Sequence, residues 1–134
     1  MSRKKDDADG LLTTWEEVYK KGLLTFWLLL FLHERPAYAY EAGTSVEQLS
    51  RGTISVDENS IYRALNRFES NGLVASELRA SDIGPKRRYY HLTHAGTGLL
   101  AAFLRRNILV FDHPSIRERI QAVLDDTADQ ETNA

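Results

Sequence analysis

The sequence predicts a mainly α-helical chain with one small two-stranded β ribbon, and three stretches carry that reading. From Ser55 to Gly72, Ile61, Ala64, Leu65 and Phe68 recur at i, i+3, i+4 and i+7, the spacing of one helical face. Two short runs follow, Leu73 to Leu78 and Arg87 to Leu92, separated by a loop containing Gly84-Pro85; they read as an antiparallel hairpin. On either side of this unit lie apolar segments, Leu23 to Leu32 and Leu99 to Phe111, that water would not tolerate if left exposed.

Length and composition set the outer bounds. A chain of 134 residues suits one compact domain with additional helices, and its ordinary apolar and charged fractions confine expected disorder to the ends. It has no cysteine, which removes disulfides and thiolate metal sites and fits a reducing cytoplasm. Met1 to Gly10 is charged, without the apolar core of a signal peptide. The most hydrophobic run, Leu23 to Leu32, has ten residues. A membrane span needs about 20, so this is a buried helix and no membrane is involved. The net charge of −2 hides an uneven distribution. Residues 51–106 hold 9 basic and 5 acidic groups, net +4, against −2 before them and −4 after them. Local sign matters more than the total for an anionic partner.

Taken in order, residues 1–10 form a flexible charged arm. Thr14 and Glu17 have the spacing of a capping box, which starts a helix near Trp15. Trp15, Val18 and Tyr19 share a face, Lys20-Lys21-Gly22 interrupts the pattern, and Leu23 to His33 resumes it. Pro36 ends that helix. Ala37 to Leu49 reads as a weaker helix, with Gly43 in its middle, and Arg51-Gly52-Thr53 as a turn. Ser55 and Glu58 make a second capping box, and Gly72 stands where a C′ glycine belongs. Two helices joined by a short turn, then a hairpin, is the layout of a winged helix-turn-helix. Thr93 caps a helix from about His94 to Phe111, and Asp112-His113-Pro114 breaks it. Ser115 and Glu118 open a short last helix, before an acidic, frayed tail over residues 125–134. The organisation is therefore an arm (1–10), a winged helix-turn-helix with its N-terminal helices (11–96), C-terminal dimerisation helices (97–124) and the tail.

The polar face of the Ser55–Gly72 helix carries Asn59, Ser60, Tyr62, Arg63, Asn66 and Arg67. Arg63 and Arg67, one turn apart, can grip guanine edges or phosphates, while Asn59 and Ser60 lie in the turn that meets bases first. The helix N-terminus itself favours phosphate. Lys86, Arg87 and Arg88 follow Gly84-Pro85 at the hairpin tip, where long cations straddle a phosphate backbone or enter a minor groove.

Ser60-Ile61-Tyr62-Arg63-Ala64-Leu65-Asn66-Arg67-Phe68-Glu69-Ser70-Asn71-Gly72-Leu73-Val74 resembles the recognition-helix signature of the PadR-like transcriptional regulators. Gly84-Pro85-Lys86-Arg87-Arg88-Tyr89-Tyr90-His91-Leu92-Thr93-His94-Ala95-Gly96 resembles their wing and the start of the next helix. Ala39-Tyr40-Glu41 is similar to their glycine-tyrosine-glutamate motif, with alanine in place of glycine. The resemblance implies a homodimer on double-stranded DNA at a palindromic operator, usually as a repressor, in some members released by a small aromatic effector. Ser60, Tyr62, Arg63 and Arg67 would meet DNA from the helix, and Lys86, Arg87 and Arg88 from the wing. The helix after the wing would pack on the partner's N-terminal helices, placing Leu23, Phe26 and Trp27 against Leu99, Phe103, Leu104 and Phe111. Gly43-Thr44-Ser45 departs from the family pattern and predicts a rearrangement between that helix and Ser55. The short tail belongs to a subgroup with a small C-terminal helical segment.

Two other classes were weighed. His91 and His94 lack further ligands for a metal, and no nucleophile constellation or phosphate-binding glycine loop is present, so neither a cofactor nor an enzyme is expected. A winged helix that has become a protein-interaction module is the alternative, since fold does not fix function. Trp15, Trp27, Phe103 and Phe111 are candidates to line an effector cavity, or simply core.

Overall fold

A computed structural model describes the backbone of residues 2–133 and the side chains of residues 8–128. The first helix, α1, runs unbroken from Ser2 to Glu34. Both the expected arm and the expected start near Trp15 are therefore corrected. Thr14 is not a cap: its hydroxyl donates to the Gly10 carbonyl at 3.0 Å, and Thr13 does the same to Asp9. This is how threonine satisfies itself inside a helix. Lys20-Lys21-Gly22 changes the chemistry of the surface without interrupting the backbone. The side chains of residues 1–7 lie outside the described residues.

Pro36 stops α1 at Glu34 by disfavouring helix at Arg35, and pairing with Tyr90 draws Ala37 out. Ala37 is consequently not helical. It exchanges two backbone hydrogen bonds with Tyr90, at 3.0 and 2.8 Å, as an isolated antiparallel bridge. Helix α2 then spans Ala39–Leu49, with no break at Gly43-Thr44-Ser45. Gly43 faces Ile61 of the next helix, and a Cβ there would make ordinary contact with Cγ1 at 3.4 Å.

The turn after α2 has a Schellman geometry: Arg51 N–H donates to Gln48 and Gly52 N–H to Glu47. Arg51 fills the left-handed position (φ 58°) that glycine normally takes, a conformation that costs an L residue about 1–2 kcal/mol. Buried Ser50 satisfies the corner, accepting from Ile54 N–H at 3.1 Å while donating to the Glu47 carbonyl.

Helix α3 covers Glu58–Ser70. Its cap is Asp57, not Ser55: the Asp57 carboxylate accepts from Ser60 N–H at 3.2 Å and from the Ser60 hydroxyl at 2.6 Å. These two bonds, the hydroxyl's the stronger, hold the Asp57 pKa below its ordinary 3.8. At the other end Gly72 (φ 77°) and Leu73 complete a second Schellman motif on Glu69 and Phe68. Ile61, Ala64, Leu65 and Phe68 are all buried, as the periodicity requires.

Strands β1 (Val74–Arg79) and β2 (Arg87–Leu92) pair antiparallel, with Val74 opposite Leu92 and Ser76 opposite Tyr90. Among the described residues the core of this unit runs from Leu28, Leu29, Phe31 and Leu32 of α1 through α2 and α3 to Val74 and Tyr90. Helix α4 (His94–Phe103) begins under the Thr93 hydroxyl, which accepts from Gly96 N–H at 3.1 Å. Gly96 is obligatory for a packing reason: a Cβ there would lie 2.1 Å from the Leu73 carbonyl oxygen.

The chain divides between Gly98 and Leu99. Within the C-terminal unit the helix does not continue uniformly to Phe111. It widens into a π-helical turn over Leu104–Ile108, then tightens to a 3₁₀ turn over Leu109–Asp112. The Asn107 amide donates to the Phe103 carbonyl there at 3.2 Å. Helix α5 spans Pro114–Asn133, so residues 125–133 extend it where a frayed tail is expected. Its cap is His113 rather than Ser115: Nδ1 of His113 accepts from Ser115 N–H at 3.2 Å, and Pro114 takes the first helical position.

Two outcomes follow from this local geometry. Gly96→Ala should lower the unfolding free energy by at least about 2 kcal/mol, whereas Gly98→Ala, whose Cβ meets nothing within 4 Å, should be neutral or gain about 0.5–1 kcal/mol; urea titration distinguishes them. Asp57→Ala should lower the thermal midpoint at pH 7. Because the folded-state pKa of Asp57 is lowered, its contribution exists above the unfolded value and is lost as pH falls through the folded one. The difference between wild type and Asp57→Ala should therefore shrink on acidification below 3.8, read by circular dichroism.

Candidate nucleic-acid interface

The outward face of α3 is exposed and polar, and its side chains divide into two flanks. Ser60, Arg63 and Arg67 lie along one, lining an open groove of about 770 Å³ that α1 borders. Tyr62 lies on the other, in a cleft of about 560 Å³ shared with Lys86, Arg87 and Arg88 of the wing. Asn59 and Asn66 are also exposed on this outward face. The expected residues thus assemble on one helix and one hairpin tip.

Most of them are already held. Arg63 donates to the Ser60 hydroxyl at 3.1 Å, and that hydroxyl donates to Asp57, so cap, serine and arginine form a chain. The Asp57 carboxylate takes one of the free N–H groups at the start of α3, that of Ser60. Arg67 rests its guanidinium 5.7 Å from the Phe68 ring centre. Asn66 Oδ1 accepts from the Tyr90 hydroxyl at 3.4 Å, linking α3 to β2. Burial first, and then the charge of Glu69, push the Tyr90 phenol pKa up, so it stays a donor.

The wing cations take opposite faces because side chains alternate along a strand. Arg88 donates to Ser76 Oγ at 3.0 Å, and Ser76 donates to Glu69 of α3 at 2.5 Å. Arg87 lies over the Tyr38 ring at 4.4 Å; Tyr38 meets Tyr89 edge-on at 5.4 Å, and Arg79 covers Tyr89 at 4.8 Å. This alternation of cations and rings sets the hairpin's inclination to the start of α2. Lys86 is exposed at the tip. Sequence reasoning left out Asp57, Tyr38, Glu69, Ser76 and Tyr90. Asp57 was legible as the acid three residues before Ser60; the others depend on strand register.

The expected dimer residues are placed as follows. Leu23, Phe26 and Trp27 are half-buried on α1, with Trp27 edge-on to Phe26 at 4.8 Å. Leu99 and Phe111 are each 48% exposed, and Phe103 and Leu104 are half-buried. Leu11, Leu12, Trp15, Val18 and Tyr19 extend an exposed apolar surface along the first half of α1. Trp15, Tyr19 and Trp27 also line a mostly apolar cleft of about 440 Å³. Phe103 and Phe111 belong to the C-terminal unit. The Trp27 indole N–H is buried with no acceptor among the described residues. Among those residues no three metal-ligating side chains come together, and no helix is long and apolar enough to cross a membrane.

Comparison with known proteins agrees with this geometry. The family model described as "Transcriptional regulator PadR-like family" matches residues 28–102. The transcriptional regulator Rv3488 of Mycobacterium tuberculosis is 35% identical over 72 residues, 54% of this chain and 66% of that protein. A PadR-like transcriptional regulator from Bacillus cereus superposes with a TM-score of 0.62 at 32% identity, over 75% of this chain and 94% of that one. Bacillus subtilis PadR, solved in complex with operator DNA, shares the fold at a TM-score of 0.58 and 19% identity. It matches over 63% of this chain, which spans about half (48%) of that protein. With the family model covering more than half its length, and α3 and the wing in the order that the family's signature requires, the chain belongs to the PadR-like family of transcriptional regulators.

Proposed function

We propose that the chain is a homodimeric repressor that reads a palindromic operator, with α3 in the major groove and the wing on the adjacent backbone or minor groove. The observation that carries this reading is the fixed coupling of one polar helix face to a cationic hairpin through Asn66–Tyr90 and Glu69–Ser76–Arg88. A reader needs its base-contacting groups at a set angle to its backbone-contacting groups, because phosphate contacts fix the register in which bases are read. Bacillus subtilis PadR, which shares this fold, was solved in complex with operator DNA, and that supports duplex DNA as the partner.

Dimerisation is supported by the apolar surface of α1 and by Leu99 and Phe111, which are left half in water. Two-fold symmetry would set the recognition helices about 34 Å apart, one duplex turn. Repression is the sign of regulation that the family resemblance implies, and it needs no catalysis. The Trp15–Tyr19–Trp27 cleft, with its buried indole donor, supports an additional response to a small aromatic effector bearing an acceptor.

Salt titration of binding to a labelled duplex from the upstream region of the protein's own gene tests the reading. Arg63→Ala and Arg87→Ala should each either lower the slope of log affinity against log salt by about 1, marking a phosphate contact, or cost about 1–3 kcal/mol, marking a base contact. If the wild type binds no duplex at low salt, the proposal fails and the protein-interaction module becomes the better account.

A further inference from the structure

A helix seated in a major groove runs between two phosphate walls, about 12 Å apart. The wing answers one of them. On the opposite flank of α3 the sequence singled out only an interruption, Lys20-Lys21 of α1, and assigned it no role. In the structure these lysines border the groove that Ser60, Arg63 and Arg67 line from the α3 side. Four cations and a single acid, Glu17, face that space. We propose that Lys20 and Lys21 form a second phosphate-contacting surface, gripping the backbone on the side of α3 away from the wing.

The local chemistry favours an anion there. Lys21 is exposed and forms no ion pair among the described residues. Lys20 pairs with Glu16 at 3.3 Å, one turn away, with both side chains well exposed (39% and 48%). Such pairs are worth little and exchange readily for a stronger anion. Arg63 and Arg67 stand on the same stripe of α3, so a phosphate held by the lysines is continuous with the reading face. The Arg63 guanidinium is held toward the start of α3 by the Ser60 hydroxyl, itself bonded to Asp57. The unbroken course of α1 matters too: had the helix started afresh after Gly22, nothing would fix these two lysines relative to α3.

The inference rests on the DNA-reading proposal, and one experiment separates their failures. Anisotropy of a labelled upstream duplex and of a random-sequence duplex is followed through a sodium chloride series. The proteins are wild type, Lys21→Gln, the double variant Lys20→Gln/Lys21→Gln and the charge-conserving Lys20→Arg/Lys21→Arg. The slope of log affinity against log salt should fall by about 1 for each lysine removed, to the same extent on both duplexes, and be retained by the arginine pair. Thermal midpoints should stay near wild type, since both side chains are on the surface. A double glutamine variant with the wild-type slope overturns this inference and leaves the DNA reading intact. Should the double variant unfold, the slope of exposed Lys21→Gln decides alone. A wild type that binds neither duplex overturns both.

Discussion

Tyr90 is the point at which the separate parts of the N-terminal unit are joined. Its backbone bonds to Ala37, between α1 and α2, while the strand to which it belongs pairs with β1 at Ser76. Its ring is 2% exposed, and its hydroxyl reaches Asn66 on α3. One residue thus ties the segment between α1 and α2, the hairpin and α3. A tyrosine suits this place because it offers an apolar ring for the core and a donor at its far end. An ordinary phenol is already protonated at physiological pH, and burial shifts Tyr90 further upward, so the donor is kept.

The same constraint explains why small residues occur where they do. Gly96 lets α4 begin against the Leu73 carbonyl, where a Cβ would lie 2.1 Å from the oxygen. A methyl group there would push the start of α4 away from the turn between α3 and β1. Such a shift would be felt at the Asn66–Tyr90 and Glu69–Ser76–Arg88 bonds, which link the helix to the hairpin. Affinity for a phosphate lattice tolerates small misplacement; readout of base edges by bidentate side chains does not. On the proposed function, core packing would therefore also bear on specificity.

Much of this was legible in the sequence, and for identifiable reasons. The 3.6-residue period of Ile61, Ala64, Leu65 and Phe68 predicts both α3 and its polar face, because burial acts on that stripe directly. Strand β2 and the Thr93 cap were equally plain. The helix starts were not. Ser/Thr-x-x-Glu occurs at Thr14, Ser55 and Ser115, and at none of them does that residue cap the helix. At Thr14 helix extends through it; at the other two a better acceptor, Asp57 or His113, stands nearby. Ala37 joins a bridge whose other half lies far along the chain, and the switch from α to π geometry after Phe103 left no local signal. Among the site residues, charge marked Arg63, Arg67 and the wing, whereas Tyr38, Ser76 and Tyr90 work through register and neighbours that single-sequence periodicity does not encode.

Hydroxyl-radical footprinting of the upstream duplex addresses the central claim most directly, since it reports both the reading face and its two-fold repetition. A dimer presenting α3 and the wing from each protomer should protect two blocks on one face of the duplex, with centres about 10 base pairs apart. A single block, or uniform weak protection without a repeat, would contradict the account.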